Sequence, residues 1–277
     1  MHYNVSIEIL LKDYTMGSEE NFKALHIQHN SKLIRLGSLL QRFYFRPTFF
    51  GVEHINPNQP AMYVGNHTIY GVLDSPIIID YLYTEHKIAI VSLADHLHFK
   101  VPLWRKVVTG MGGVDGIQEY ARQAMQQGYS LLIFPGGGRE VAKRRGEEYQ
   151  LIWKERYGFL KLAQEFNYDI VPFAALGGDD VYELGFDANT LLEQKWFKKL
   201  LTVPSIGKLL RNGEVIPSVP KNIIPKRVHF YFKFLPNQKV DKELTAMELK
   251  KYRDDLQEKI YQTLQVLVEI RTLNTKL

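Results

Sequence analysis

The 277 residues include no cysteine, which excludes disulfides, thiol nucleophiles and thiolate metal sites together. No uncharged apolar run approaches the roughly 18 residues that a membrane-spanning helix needs. The opening stretch MHYNVSIEILLKDYTMGSEE also lacks a basic region followed by an apolar run and a small-residue cleavage site, the marks of a secretory leader. These absences predict a cytoplasmic chain whose membrane association is peripheral. A large charge imbalance is missing as well. The 35 Lys and Arg against 30 Asp and Glu leave +5, and a pI of about 9.1 favours anionic surfaces or ligands without requiring nucleic acid. What is present is apolar bulk, 45% of the residues, enough for a large core.

After Pro47 the chain breaks into short apolar runs: Thr48 to Ile55, Ala61 to Gly65, Lys87 to Leu93, Tyr129 to Pro135, Asp169 to Ala175 and Arg227 to Leu235. Rich in β-branched and aromatic residues, and mostly bounded by turn residues, these predict strands. Between them, Ser75-Pro76 predicts a helix start after Asp74, and Asp115-Gly-Ile-Gln118 predicts another. Thr245-Ala-Met-Glu248 opens a last helix striped by Leu249, Tyr252, Leu256, Ile260, Leu264 and Leu267. This alternation predicts an α/β fold, a mostly parallel mixed sheet flanked by helices, with its chemistry at the carboxyl ends of strands. No linker or repeat is visible, so residues 45–277 are expected to form one domain. Residues 1–44 are expected to be an N-terminal helical segment packed on that domain or preceding it.

Two segments combine apolar and cationic residues. Over residues 21–44, Leu25, Ile27, Leu33, Ile34, Leu36, Leu39, Leu40 and Phe43 recur at helical spacing. The pattern fits a packing helix and also a helix lying on a membrane surface. The stretch EQKWFKKLLTVPSIGKLLRN, Glu193 to Asn212, interleaves Trp, Phe and Leu with Lys195, Lys198, Lys199, Lys208 and Arg211. That composition suits a lipid headgroup interface, and equally a solvated helix with an ordinary buried face.

The chemistry starts at Val64-Gly-Asn-His-Thr-Ile-Tyr-Gly-Val-Leu-Asp-Ser-Pro76, where His67 follows an expected strand and Asp74 precedes an expected helix. A general base needs a neutral imidazole nitrogen facing its substrate, with the other nitrogen held by an acceptor such as a carboxylate. In a straight helix seven positions would separate the two groups by roughly 10 Å along the axis, at ~1.5 Å per residue. Pairing therefore requires a loop, which Gly71 permits. A lone histidine is also a common structural residue.

A second constellation is Leu131-Leu-Ile-Phe-Pro-Gly-Gly-Gly-Arg-Glu140, a strand followed by three glycines and an arginine. Gly136, Gly137 and Gly138 leave backbone N–H groups bare enough to approach an anion or a developing oxyanion, and Arg139 adds a charged fork. The turn lacks the Gly-Lys-Ser/Thr ending of a nucleotide P-loop, and a plain tight turn with a surface arginine fits it too. Lys143, Arg144 and Arg145 extend a basic rim or a solvated face. His96-Leu-His98 has only Asp95 beside it, so no metal or other resident cofactor is expected. Gly110 to Gly116 lacks dinucleotide spacing, and no serine sits in a Gly-x-Ser-x-Gly elbow.

Taken in order, VGNHTIYGVLDSP, FPGGGREVAKRRGEEY and IVPFAALGGDD resemble the blocks of the glycerolipid acyltransferase superfamily, the lysophospholipid acyltransferase-like enzymes. The nearest branch is that of type-2 diacylglycerol acyltransferases and phytyl ester synthases, and the resemblance runs from about Gly51 to Leu235. It implies a glycerolipid acyltransferase-like fold and transfer of a fatty acyl group from acyl-CoA or acyl-carrier protein, as co-substrate, to a lipid hydroxyl. It implies no covalent enzyme intermediate. Matched by motif, His67 is the base and Asp74 its candidate partner; Phe134, Pro135, Gly136 to Gly138, Arg139, Val171 and Pro172 fall in the substrate-binding blocks.

The departures from the glycerophosphate enzymes are specific. Their Asp position is Val72 here, their Phe-Pro-Glu glutamate is Gly136, and Gly112 to Gly116 offers no arginine for an acceptor phosphate. A neutral acceptor, diacylglycerol or a long-chain alcohol, is therefore expected ahead of a lysophospholipid. The implied partners are the thioester donor, the lipid acceptor and a membrane surface, without nucleic acid. Two alternatives stay open: a lipid hydrolase using the same histidine on water, and a non-catalytic basic protein that binds membrane or nucleic acid.

Overall fold

The computed structural model describes residues 24–274; the expectations for residues 1–23, including the leader reading and the first part of the 21–44 helix, lie outside them. Helix α1 spans Ser31–Phe45 because the Asn30 side chain caps it, accepting from the Leu33 N–H at 3.1 Å. Leu25 and Ile27, expected in that helix, precede it in irregular chain and pack partly buried against the core. Arg46, at φ 46°, and Pro47 end the helix.

Strand β1 covers only Thr48–Phe50, since Gly51 at φ 66° turns the chain into a 3₁₀ turn over Val52–His54. There follow β2 (Ala61–Gly65), α2 (Asp74–Thr84), β3 (Ile90–Ala94), α3 (Pro102–Gly110), β4 (Gly113–Asp115), α4 (Gln118–Gln126), β5 (Ser130–Ile133) and α5 (Gly137–Val141). Next come α6 (Gly158–Phe166), β6 (Asp169–Leu176), β7 (Leu184–Phe186), α7 (Ala188–Glu193), α8 (Lys195–Leu201), α9 (Pro204–Leu209), β8 (Val219–Pro220), β9 (Tyr231–Phe234) and α10 (Ala246–Asn274). Two helix starts differ from expectation. Helix α2 begins at Asp74 itself, with the Ser75 hydroxyl donating back to the Gly71 carbonyl at 3.1 Å. Helix α4 begins at Gln118 without a side-chain cap, because Asp115 belongs to β4.

One seven-stranded sheet has the order β1-β9-β6-β2-β5-β3-β4. The block β6-β2-β5-β3-β4 is parallel; β9 joins β6 antiparallel and carries β1 parallel to itself. Successive side chains alternate between the two faces. Met62 and Val64 pack with Leu131, Ile133 and the α10 stripe on one face, and Tyr63 packs with Leu132 and Val171 beneath α1 and α2 on the other. The α10 cap forms as its sequence predicts: the Thr245 N–H donates to Glu248 Oε2 at 2.8 Å and the Glu248 N–H to Thr245 Oγ1 at 3.4 Å. Because β2, β5 and β3 are parallel neighbours, the segments that leave their carboxyl ends emerge side by side.

Candidate active site

The segment leaving β2 is a loop until Asp74. Tyr70 at φ 60° and Gly71 at φ 62° are both left-handed, which hooks the chain back on itself. Gly71 is required twice over. Besides its φ, a Cβ there would lie 2.3 Å from His67 Cε1 and 2.6 Å from Nε2. Tyr70, which pays a steric cost in this region, is tied by its N–H to the Val141 carbonyl at 2.9 Å and by its hydroxyl to the Ser218 carbonyl at 2.6 Å.

Buried polar side chains splint this loop at almost every residue. Asn66 exchanges hydrogen bonds with the Ala175 backbone at 2.9 and 2.8 Å. Lys143 Nζ donates to the His67 carbonyl at 2.7 Å and to Asp179 Oδ2 at 2.7 Å. Asp179 in turn accepts from the N–H groups of Ile69, at 2.6 Å, and Tyr149, at 2.7 Å. Asp74 accepts from the Thr68 N–H at 3.2 Å and the Ser75 N–H at 2.9 Å. Lys143, Asp74 and Asp179 thereby fix the His67 carbonyl and the Thr68 and Ile69 N–H groups, so the imidazole sits on a rigid mount.

His67 and Asp74 face one another. His67 Nδ1 lies 3.6 Å from Asp74 Oδ2, an ion-pair distance just beyond hydrogen-bond length, and Nδ1 is buried without another partner among the described residues. Phe134 stacks on the imidazole with centroids 3.9 Å apart and planes at 9°, fixing the ring plane from below. Burial pushes the Asp74 carboxyl upward, but His67 and the two backbone N–H groups hold it below the usual carboxylate range. An ionised Asp74 favours the proton on Nδ1, which leaves Nε2 as the free basic nitrogen at the edge by Gly71.

The glycine turn after β5 behaves differently from its sequence. The Gly137 N–H turns back onto the Phe134 carbonyl at 2.9 Å. Arg139 is buried and paired with Glu147, its second contact being the Ala142 carbonyl at 3.4 Å, so its fork points away from the site. The cations beside the turn come from later in the chain. Arg156 donates to the carbonyls of Pro135 and Gly136, and Arg211 Nη1 lies 3.1 Å from where a Gly138 Cβ would stand.

Gly136 is buried and carries the clearest mark of purpose: a Cβ there would overlap Glu140 Oε2, 1.7 Å away. The carboxyl of Glu140, one helical turn on, thus fills the space of the missing residue 136 side chain. Glu140 is fully buried and neither oxygen has a hydrogen-bond partner among the described residues. Burial pushes its carboxyl up to about 8, with Lys143 and the nearby His67 N–H opposing the rise and Asp179 and Asp74 adding to it. At neutral pH this group is a carboxylic acid. Its folded value exceeds the usual 4.5, so its contribution to stability is complete below about 4.5 and is lost progressively as the pH rises toward 8. Glu140→Gln is accordingly expected to match the wild type in urea unfolding at pH 4.5 and to exceed it at pH 8 by on the order of 3 kcal/mol. An equal difference at both pH values would mean that the native carboxyl is already ionised.

These elements enclose a cavity of about 160 Å³. Of the residues expected at the site, His67, Phe134, Gly137 and Gly138 line it. Asp74 stands behind His67, and Pro135, Gly136 and Arg139 lie beneath the turn. Val171 and Pro172 are core positions of β6, paired in register with Tyr63 and Val64, and are absent from the lining. The lining also includes Val72, Asp95, His98, Trp104, Val107 and Val108. His96 and His98 stand on a 3₁₀ turn, His96–Phe99, and no metal-holding cluster occurs among the described residues.

Residues 46–175 match the Acyltransferase family model. Phytyl ester synthase 2, chloroplastic, of Arabidopsis thaliana is 33% identical over 199 residues, covering 65% of this chain and 28% of that protein. Diacylglycerol O-acyltransferase 1 of Eremothecium gossypii is 31% identical over 112 residues, 38% of this chain and 24% of that protein. The matches therefore span well under a third of these relatives' own length. The fold is similar to that in the crystal structure of the 1-acyl-sn-glycerophosphate (LPA) acyltransferase PlsC from Thermotoga maritima. The TM-score is 0.56 over 94% of this chain and 87% of that one, at 15% identity.

Proposed function

We propose, on the premise that the chain belongs to the Acyltransferase family through residues 46–175, that it moves a fatty acyl group from a thioester to the hydroxyl of a neutral lipid. The observation that carries this reading is His67, backed by buried Asp74 and stacked on Phe134, at the wall of an otherwise largely apolar cavity. His67 Nε2 takes the hydroxyl proton as the oxygen attacks the thioester carbonyl, and returns it to the departing sulfur. A donor on coenzyme A or on an acyl-carrier protein presents the same thioester.

The neutral acceptor is favoured by where the cations lie. Arg139 and Lys143, the cations nearest the glycine turn in sequence, are taken up by Glu147 and by Asp179 with the His67 carbonyl. Arg156 flanks the glycine turn without a carboxylate partner among the described residues and suits the anionic end of a donor, whereas Arg211 beside it is paired with Asp95. The cavity is smaller than the roughly 300–1,000 Å³ that encloses a drug-sized ligand, so it suits only the reacting ends of two lipids. Their chains need an apolar surface outside.

Such a surface is present. On α1, Leu36, Leu39, Leu40 and Phe43 are exposed, the last two at 78% and 75%, although they share the helix with buried Ile34 and Phe45. On α3, Leu103 and Trp104 are exposed, while Val107 and Val108 of the same helix line the cavity. Lys32 and Arg35 of α1 and Arg105 and Lys106 of α3 have no acidic residue in their own helices, whereas Arg42 is paired with Asp80 of α2 at 2.7 Å. This supports peripheral docking on an anionic bilayer with the cavity opening beside it. No helix among the described residues is long and apolar enough to cross a membrane.

The test is purified protein with acyl-CoA or acyl-carrier thioester and an acceptor panel of diacylglycerol, phytol and lysophosphatidate in anionic vesicles. Ester formation on the neutral alcohols ahead of lysophosphatidate is expected. Free fatty acid as the main product, with or without acceptor, would move the reading to a hydrolase.

A further inference from the structure

The cavity that His67 lines holds a second imidazole, and its protonation state follows from its neighbour. Trp104 Nε1 lies 2.8 Å from His98 Nδ1. An indole N–H donates and never accepts, so His98 Nδ1 is the acceptor and carries no hydrogen. The neutral ring then bears its proton on Nε2. Protonating Nδ1 would set two N–H groups head to head, so the contact also keeps His98 uncharged.

Other donors on the cavity lining are mostly committed elsewhere. The Tyr70 hydroxyl donates to the Ser218 carbonyl, the Ser75 hydroxyl to the Gly71 carbonyl and the Trp104 N–H to His98 itself. Asp95 accepts only, taking the Leu97 N–H at 3.1 Å and Arg211 Nη2 at 2.5 Å. The Gly137 N–H is turned onto Phe134. Among the lining side-chain donors other than His67, Ser92 and His98 are left, and His98 Nε2 has no hydrogen-bond partner among the described residues.

The geometry points to His98 as a further catalytic residue, a neutral hydrogen-bond donor whose Nε2–H receives the charge that develops on the thioester carbonyl oxygen. This rests on the acyl-transfer reading. The acceptor O–H proton passes to His67 Nε2, the new C–O bond forms, and the carbonyl π pair moves onto the oxygen, where His98 donates to it. When that pair returns, the C–S bond breaks and the thiolate takes the proton from His67. Base and donor thus line one cavity. They are near enough to interact electrostatically: burial lowers the His98 pKa, Asp95 raises it and a charge on His67 lowers it further, while Arg211 is paired with that Asp95. A donor that stays neutral does not compete with the imidazolium that forms on His67.

The test combines ¹⁵N-histidine NMR of the full chain with steady-state kinetics of His98→Phe, His98→Gln, Trp104→Phe and Ser92→Ala. The wild-type His98 signal should report the Nε2–H tautomer at pH 7, and Trp104→Phe should mix the tautomers. His98→Phe should lower kcat by roughly 10²–10³-fold with KM for the acceptor little changed. His98→Gln, which keeps a donor, should recover most of that loss. A wild-type Nδ1–H tautomer, or a transferring wild type matched in kcat by His98→Phe, would overturn the assignment, as would a loss confined to Ser92→Ala. A wild type that transfers no acyl group would instead sink the transfer reading, and the NMR signal would still decide which His98 nitrogen carries the proton.

Discussion

His67→Ala is expected to lower acyl transfer by about 10²–10⁴-fold, the range a positioned general base contributes. The loss should fall on kcat. The alanine removes the imidazole that Asp74 backs at this cavity, yet leaves the loop's supports in place, because Lys143 holds the residue 67 carbonyl rather than its side chain. Asp74 likewise keeps its contacts with the Thr68 and Ser75 N–H groups in the variant. The thermal midpoint should therefore move by only a few degrees, which separates lost chemistry from lost structure. Asp74→Asn should cost less than His67→Ala, since the base survives and only the charge that steadies its imidazolium is gone. Wild-type turnover by His67→Ala would remove the proposed base.

The His67–Asp74 pair was legible because every cue for it is local. A strand end, a left-handed glycine and a helix start lie within ten residues, and together they require the loop that the structure contains. The parallel sheet was legible for the same reason, since period and turn residues are local properties. Edges were harder. Gly51 ends β1 five residues before its apolar run does, and β4 is a three-residue edge strand, Gly113–Asp115, that carries no periodicity to read.

What escaped the sequence depends on burial. Arg139 reads as a surface fork until Glu147, eight residues on, is seen to hold it. Lys143 reads as the start of a Lys-Arg-Arg run, although its side chain is 1% exposed. His98 was weighed with His96 as half of a metal pair, but its partner is Trp104, six residues later and a donor rather than a ligand. The trade between Gly136 and Glu140 had a readable signal. Positions four apart on a helical turn share a face, so a glycine at one can admit a long side chain from the other.

The largest stability effect should come from Lys143→Met. Among the described residues this lysine is the one cation paired with Asp179, and it joins the loop after β2 to the 3₁₀ turn after β6, Gly178–Asp180. Removing the ammonium leaves Asp179 charged and buried near Asp74, with Glu140 close by, and frees the His67 carbonyl. Breaking a buried pair from one side costs about 3–5 kcal/mol, because the uncompensated charge persists. At roughly 2–4 °C per kcal/mol for a chain of this size, the thermal midpoint should fall by on the order of 10 °C. Lys143→Met/Asp179→Asn should be more stable than Lys143→Met alone, since the second change removes the stranded charge while its amide oxygen still accepts from the Ile69 N–H. Activity should not follow stability in that double variant. The His67 carbonyl stays untethered in both, so kcat should remain depressed when folding recovers, and a double variant with full turnover would show that the loop needs no lysine to hold the base.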